Sequence, residues 1–98
     1  MPINLRDYTN SNSGTRGREI AFLCEDDWEL PIQLEKLNEW LVTEGAKLPK
    51  GNYSADIGFA PRDGAAGGGG SVSKAALKVL SDIGMELYFS EYPQMSKT

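Results

Sequence analysis

Ser73-Lys-Ala-Ala-Leu-Lys-Val-Leu-Ser-Asp-Ile-Gly-Met-Glu-Leu-Tyr-Phe-Ser90 changes its apolar period once, at a glycine. Before Gly84, residues Ala76, Leu77, Leu80 and Ile83 recur on one helical face. After it, Met85, Leu87 and Phe89 alternate with Glu86, Tyr88 and Ser90, the period of a strand. Ser73 can accept a hydrogen bond from the first free N–H groups of a helix, and Gly84 can take the left-handed conformation that stops one. The stretch therefore predicts a helix that runs directly into a half-buried strand.

Working upstream, Tyr53, Ala55, Ile57 and Phe59 alternate with Ser54, Asp56, Gly58 and Ala60, and Pro61 closes a second predicted strand. The segment between them contains Gly64 and the run Gly67 to Gly70, a composition with high backbone entropy and little to pack. Earlier still, Leu30, Leu34, Leu37 and Leu41 fall at i, i+4, i+7 and i+11 with Trp40 beside them, one stripe of a helix over residues 31–44. Pro31 is tolerated in a first turn, where its missing N–H has no partner to lose. Gly45 is expected to end this helix, with Pro49 shortly beyond. Gln33, Glu35, Lys36, Asn38 and Glu39 lie off the stripe and read as solvated. Ile20 to Cys24 is apolar on both faces and reads as a central strand, whereas Ile3 and Leu5 allow only a short edge strand.

The expected order is strand–strand–helix–strand–helix–strand. The fold class is α+β, a two-layer sandwich of a three- or four-stranded sheet with two helices packed on one face. The other face of the sheet would show Ser54, Asp56, Glu86, Tyr88 and Ser90. At 98 residues the chain reads as a single domain spanning 1–98, with flexible loops at 9–17 and 62–72 and a frayed tail at 93–98.

Composition narrows the chemistry. Ten basic residues stand against fourteen acidic ones, a net charge of −4, and the basic residues are scattered. That balance argues against nucleic acid as a partner and favours a basic one. Histidine is absent, which removes the commonest general base and metal ligand, and excludes a Ser-His-Asp or Cys-His arrangement within this chain. One cysteine, Cys24, allows no intrachain disulfide, and it reads as a core thiol. No apolar run suits a signal core or a membrane span, so a cytoplasmic location without membrane contact is expected. Neither a cofactor nor a metal is expected.

Candidate sites follow. Glu25, Asp26, Asp27 and Glu29 surround Trp28 just ahead of the first helix. Their charges suit the positive end of a helix dipole, and equally a contact surface for a basic partner. They lack the spacing of a calcium loop. Trp28 reads either as a staple on Leu30 or Ile32 or as an exposed anchor of the kind that dominates protein interfaces. Asp56, Glu86, Tyr88 and Glu91 form a second set of candidate contacts. The Gly-rich segment before a helix also invites an anion site at Gly70, Ser73 and Lys74, since helix N-termini bind anions. Lys74 follows Ser73 and precedes Ala75, however, so the phosphate-loop pattern is not met.

The stretch Lys74 to Tyr92 resembles the C-terminal helix–Gly–strand ending of an uncharacterised bacterial domain family, whose members also carry a polar, sometimes Gly-rich segment where this chain has Asp63 to Ser73. No catalytic residues travel with that likeness. In size, acidity and missing catalytic groups, the chain also resembles the immunity proteins of bacterial toxin–immunity pairs of the contact-dependent inhibition type. That resemblance implies a non-catalytic protein that binds and neutralises a basic toxin domain. The alternatives are a small-anion or nucleotide-binding regulatory domain using the Gly-rich loop, and an enzyme whose site is completed by another subunit.

Overall fold

The computed structural model describes residues 2–9 and 17–93. Its elements are β1 (Ile3–Asp7), β2 (Arg18–Leu23), α1 (Leu30–Thr43), β3 (Tyr53–Phe59), α2 (Lys74–Ile83) and β4 (Met85–Glu91), with a short 3-10 turn at Gly45–Lys47. The expectation for loop 9–17 falls mostly on residues outside this description, as does that for the tail beyond residue 93.

The four strands form one mixed sheet in the order β2-β1-β3-β4. β1 is antiparallel to both neighbours, and β3 is parallel to β4. β2 and β3 therefore run the same way with β1 between them, and α1 passes over β1 to join them. α2 joins β3 to β4. Both crossovers advance in the same direction across the sheet, and crossovers share one hand, so both helices land on the same face. They touch each other there. The result is the α+β arrangement read from the sequence.

The core fills the space between the layers. Ile3 and Leu5 from β1, Tyr53, Ala55 and Ile57 from β3, and Met85 from β4 meet Leu34, Leu37 and Leu41 from α1 and Ala76, Leu80 and Ile83 from α2. Tyr53 keeps its hydroxyl satisfied by donating to the Pro49 carbonyl at 2.6 Å. α2 has the ends expected of it. Ser73 accepts from the Ala76 N–H at 3.1 Å, and Gly84 caps the helix at φ +81°.

Several readings need correction. β1, expected at the edge, is central, with Ile3 and Leu5 fully buried. β2, expected to be central, is an edge strand whose residues are at most half-buried. The cause is topological: α1 crosses above β1, so the interlayer space lies over β1 and β3 rather than over β2. Gln33, read as solvated, is completely buried. Its amide donates to the carbonyls of Asp27 and Gly58, both at 2.7 Å, and so ties the turn before α1 to β3. Asn38 is also engaged: its amide donates to the Ser71 carbonyl and its oxygen accepts from the Ser73 N–H. Gly45 is not a left-handed stop, since α1 ends at an ordinary helical Glu44 and the chain tightens into the 3-10 turn. A Cβ there would sit 3.2 Å from both Leu41 and Trp40, a tight contact to which those side chains would have to yield. Cys24 packs against the core from its rim rather than lying within it. It follows β2 in a turn, partly buried, with φ +56°.

Candidate partner-binding surface

The registers set side chains in rows across the sheet face that the helices leave uncovered. One row is Phe22, Asn4, Asp56 and Tyr88, and the next is Glu19, Arg6, Ser54 and Glu86. Ser54, Asp56, Glu86, Tyr88 and Ser90 thus share the open face, as alternation predicts. Phe22 belongs there too. A run that is apolar on both faces hides which of its members lies outside, so the sequence did not single it out. Ser90 donates to Asp56 at 2.8 Å and Tyr88 donates to Glu86 at 3.0 Å. The Glu86 carboxylate, as acceptor and as a negative charge, pushes the Tyr88 phenol above its ordinary range. Glu91 does not join this set. It pairs in register with Phe59 and has the side-chain parity of Leu87 and Phe89, which places it on the helix side of the sheet edge.

The acidic segment forms the turn between β2 and α1. Glu25, Asp26 and Glu29 are exposed, while Asp27 and Trp28 are half-buried. No acidic residue lies in the first turn of α1, and Glu29 occupies the N-cap without a side-chain cap bond. The helix dipole accounts at most for Glu29 and leaves Glu25 and Asp26 as free surface charge. Trp28 is held at two points. Its carbonyl accepts from the Ala60 N–H at 2.9 Å, and its ring meets Tyr92 edge to face with centroids 5.6 Å apart. Tyr92 extends the β4 ladder by donating to the Phe59 carbonyl, and it has the parity of Tyr88 and Ser90. The Trp28–Tyr92 pair thus joins the acidic turn to the end of the open face, two regions far apart in sequence.

Charge on this surface is unbalanced. Among the described residues the ion pairs are Asp7 with Arg18, Glu44 with Lys47, and Asp82 with Lys78. None uses Glu25, Asp26, Asp27, Glu29, Asp56, Glu86 or Glu91. Arg6, the one cation in the two rows, donates to the Gly17 carbonyl. Comparison with family models, with curated proteins and with solved structures finds no match. The surface must therefore be read from its own chemistry.

Two further features adjoin it. A groove of about 410 Å³ runs beside the turn, lined by Leu23, Cys24, Asp27, Lys36 and Trp40 among others. Trp40 is half-buried there rather than closed within the core. Burial pushes the Cys24 thiol above its usual value, Asp27 adds to the effect and Lys36 opposes it, so the thiolate is disfavoured. At the Gly-rich segment, Gly70 packs against Leu34, while the Ser73 N–H and hydroxyl are both occupied, by Asn38 and by Ala76. Lys74 is exposed. The small cavity nearby is lined instead by Arg62 and Gly67 to Gly69, where Arg62 donates to the Gly67 carbonyl at 3.0 Å. Among the described residues, no group of three or more His, Cys, Asp or Glu side chains could hold a metal ion, and no helix is long and apolar enough to cross a membrane.

Proposed function

We propose that this chain is a non-catalytic inhibitor of the immunity type, which binds a basic toxin domain through the acidic turn and the adjoining open sheet face. One observation carries the reading: Trp28 and Tyr92 join two carboxylate-bearing regions into one surface, and none of those carboxylates has an ion-pair partner within the described residues. Unpaired carboxylates are free to meet lysines and arginines of another protein, and electrostatic steering of that kind accelerates encounter. Trp28, Tyr88 and Phe22 supply the aromatic area that usually carries binding energy once charge has aligned two partners. Glu25, Asp26, Asp27, Trp28 and Glu29 form the first contact set, with Asp56, Glu86 and Tyr88 as the second; Glu91 meets only a partner that wraps the sheet edge. The likeness in size and acidity to immunity proteins, together with the absence of histidine, favours binding over catalysis.

The test is a pull-down from the native host with identification of the captured protein, followed by binding kinetics across a salt series. Association should slow as salt screens the carboxylates, and the double variant Asp26→Lys, Asp27→Lys should slow it further. Trp28→Ala should act mainly on dissociation. An on-rate flat in salt, with the double reversal silent, rejects steering by this turn. Recovery of small anions or nucleotides alone rejects the inhibitor reading.

A further inference from the structure

The two edges of the sheet are built differently. β2 is broken by a register shift opposite Leu5 and Arg6 and begins with exposed Arg18 and Glu19, features that discourage pairing with another chain. β4 pairs with β3 over seven consecutive residues without a shift and contains neither lysine nor proline. Tyr53 donates to the Gly84 carbonyl and Tyr92 donates to the Phe59 carbonyl. In a parallel ladder the N–H and C=O of one residue point the same way and alternate residues point opposite ways. Gly84, Glu86, Tyr88, Ser90 and Tyr92 therefore face β3, and Met85, Leu87, Phe89 and Glu91 turn both backbone groups to the free edge. Of the five exposed large hydrophobic residues among those described, Leu77, Tyr88 and Phe89 belong to α2 and β4, each about half exposed at 52%, 49% and 51%. Leu77 lies on the flank of α2 opposite the partly buried Val79, given ~100° of helix rotation per residue.

We propose that β4 pairs antiparallel with β4 of a second copy of this chain about a two-fold axis through Tyr88, making one continuous eight-stranded sheet. Three features select a second copy in this register. First, the axis through Tyr88 sets Met85 opposite Glu91 and Leu87 opposite Phe89 of the other copy, so every outward-facing residue of β4 exchanges backbone hydrogen bonds. An axis through Leu87 or Phe89 leaves one end unpaired. Second, the exposed Phe89 packs on Leu87 of the other copy within the helix layer, where Leu77 adds apolar area. Third, charge is compatible. Glu86 meets Ser90 and Glu91 meets Met85, so no carboxylate faces a carboxylate although the strand carries two. This inference does not depend on what the acidic turn binds.

Sedimentation of the full chain should show mass rising from 10.7 kDa toward twice that value over a concentration series reaching about 0.5 mM. Phe89→Lys should weaken association at least about tenfold with unchanged circular dichroism, because its backbone groups face the free edge and its side chain, half exposed, touches Phe59 edge to face without entering the buried core. Tyr88→Cys in a Cys24→Ser background tests the register. Residue 88 faces itself as a non-hydrogen-bonded pair, with Cα atoms about 4.5 Å apart and within disulfide reach, so mild oxidation should give a covalent dimer. Ser90→Cys in the same background should not, since position 90 faces position 86. A monomer at the highest concentration overturns the proposal, as does a dimer indifferent to Phe89→Lys or a crosslink at 90 in place of 88. If the chain stays monomeric and its β4 amides gain exchange protection only when a partner is added, the edge belongs to a segment of that partner and the dimer is rejected.

Discussion

α1 and α2 reach the same layer by different means. α2 is specified by its own ends: a serine whose hydroxyl accepts from Ala76, a glycine at φ +81° and a run of residues that suits one amphipathic face. α1 starts at a glutamate that makes no side-chain cap bond, has proline in its first turn and ends at Glu44 in ordinary helical geometry. It is held by what it touches. Leu34, Leu37 and Leu41 are buried against both the sheet and α2, and Gln33 reaches across to the backbone of the preceding turn and of β3. A helix can be stabilised locally by capping or globally by packing, and packing dominates in proteins. α2 combines caps with a buried face of Ala76, Leu80 and Ile83, whereas α1 relies on packing without a side-chain cap.

The comparison breaks most readily at α1. Leu37→Ala should cost about 2–5 kcal/mol, since the side chain is fully buried and its removal leaves a cavity. Chemical denaturation would show it, and an unchanged midpoint would mean that the leucine stripe does not anchor the fold. Gln33→Leu comes next. It conserves bulk but strands the carbonyls of Asp27 and Gly58, and should cost about 1–3 kcal/mol through unsatisfied buried acceptors. Hydrogen exchange at the Trp28 to Leu30 amides should rise along with it if Gln33 also orders the acidic turn.

At α2 the effects should be smaller and sit at the ends. Gly84→Ala meets both a left-handed backbone and the carbonyl of Gly51, and should cost more than about 1 kcal/mol. Ser73→Ala should cost about 1 kcal/mol. If Ser73→Ala instead rivals Leu37→Ala, the contrast between the helices fails. The smallest effect lies outside both, in the β1–β2 pair. Hydrogen bonds from Thr9, with Arg18 contributing less, hold the Asp7 carboxyl below its ordinary 3.8. The unfolded chain then takes up that proton first as pH falls. Asp7 therefore stabilises the fold above about pH 3.8, and its contribution is lost as pH drops through the lower folded value. Acid titration of Asp7→Asn alongside the parent chain should remove that part of the pH dependence.

Legibility in the sequence followed the range of the signal. The alternation of Tyr53, Ala55 and Ile57, and of Glu86, Tyr88 and Ser90, settled which side chains share the open face, because a pleated strand alternates whatever its neighbours are. The candidate contacts were legible as residue types: a tryptophan within an acidic run, and carboxylates on a strand. Their union was not. Trp28 and Tyr92 are 64 positions apart (92 − 28), and no local pattern records an edge-to-face contact at that separation. Glu91 was misplaced beside Glu86 and Tyr88 because its parity matters only once β4 is known to run straight through to residue 91.

The sequence by itself determined the element types, the ends of α2, the alternating faces of β3 and β4, the sign of the charge and the absence of imidazole chemistry. Each rests on neighbours within a turn of helix or two positions of a strand, or on composition alone. Only the tertiary structure decided that β1 is central and β2 an edge, that a glutamine on α1 is buried, and that α1 ends by tightening into a 3-10 turn at Gly45 rather than in a left-handed glycine. These depend on where a crossover passes and what lies beneath it. The more apolar six-residue strand lies at the edge and the less apolar five-residue strand lies under the helices, so local apolarity does not mark which will be covered. That outcome is set by the path of α1 from β2 over β1 to β3, a contact pattern the chain acquires only when its distant parts pack together.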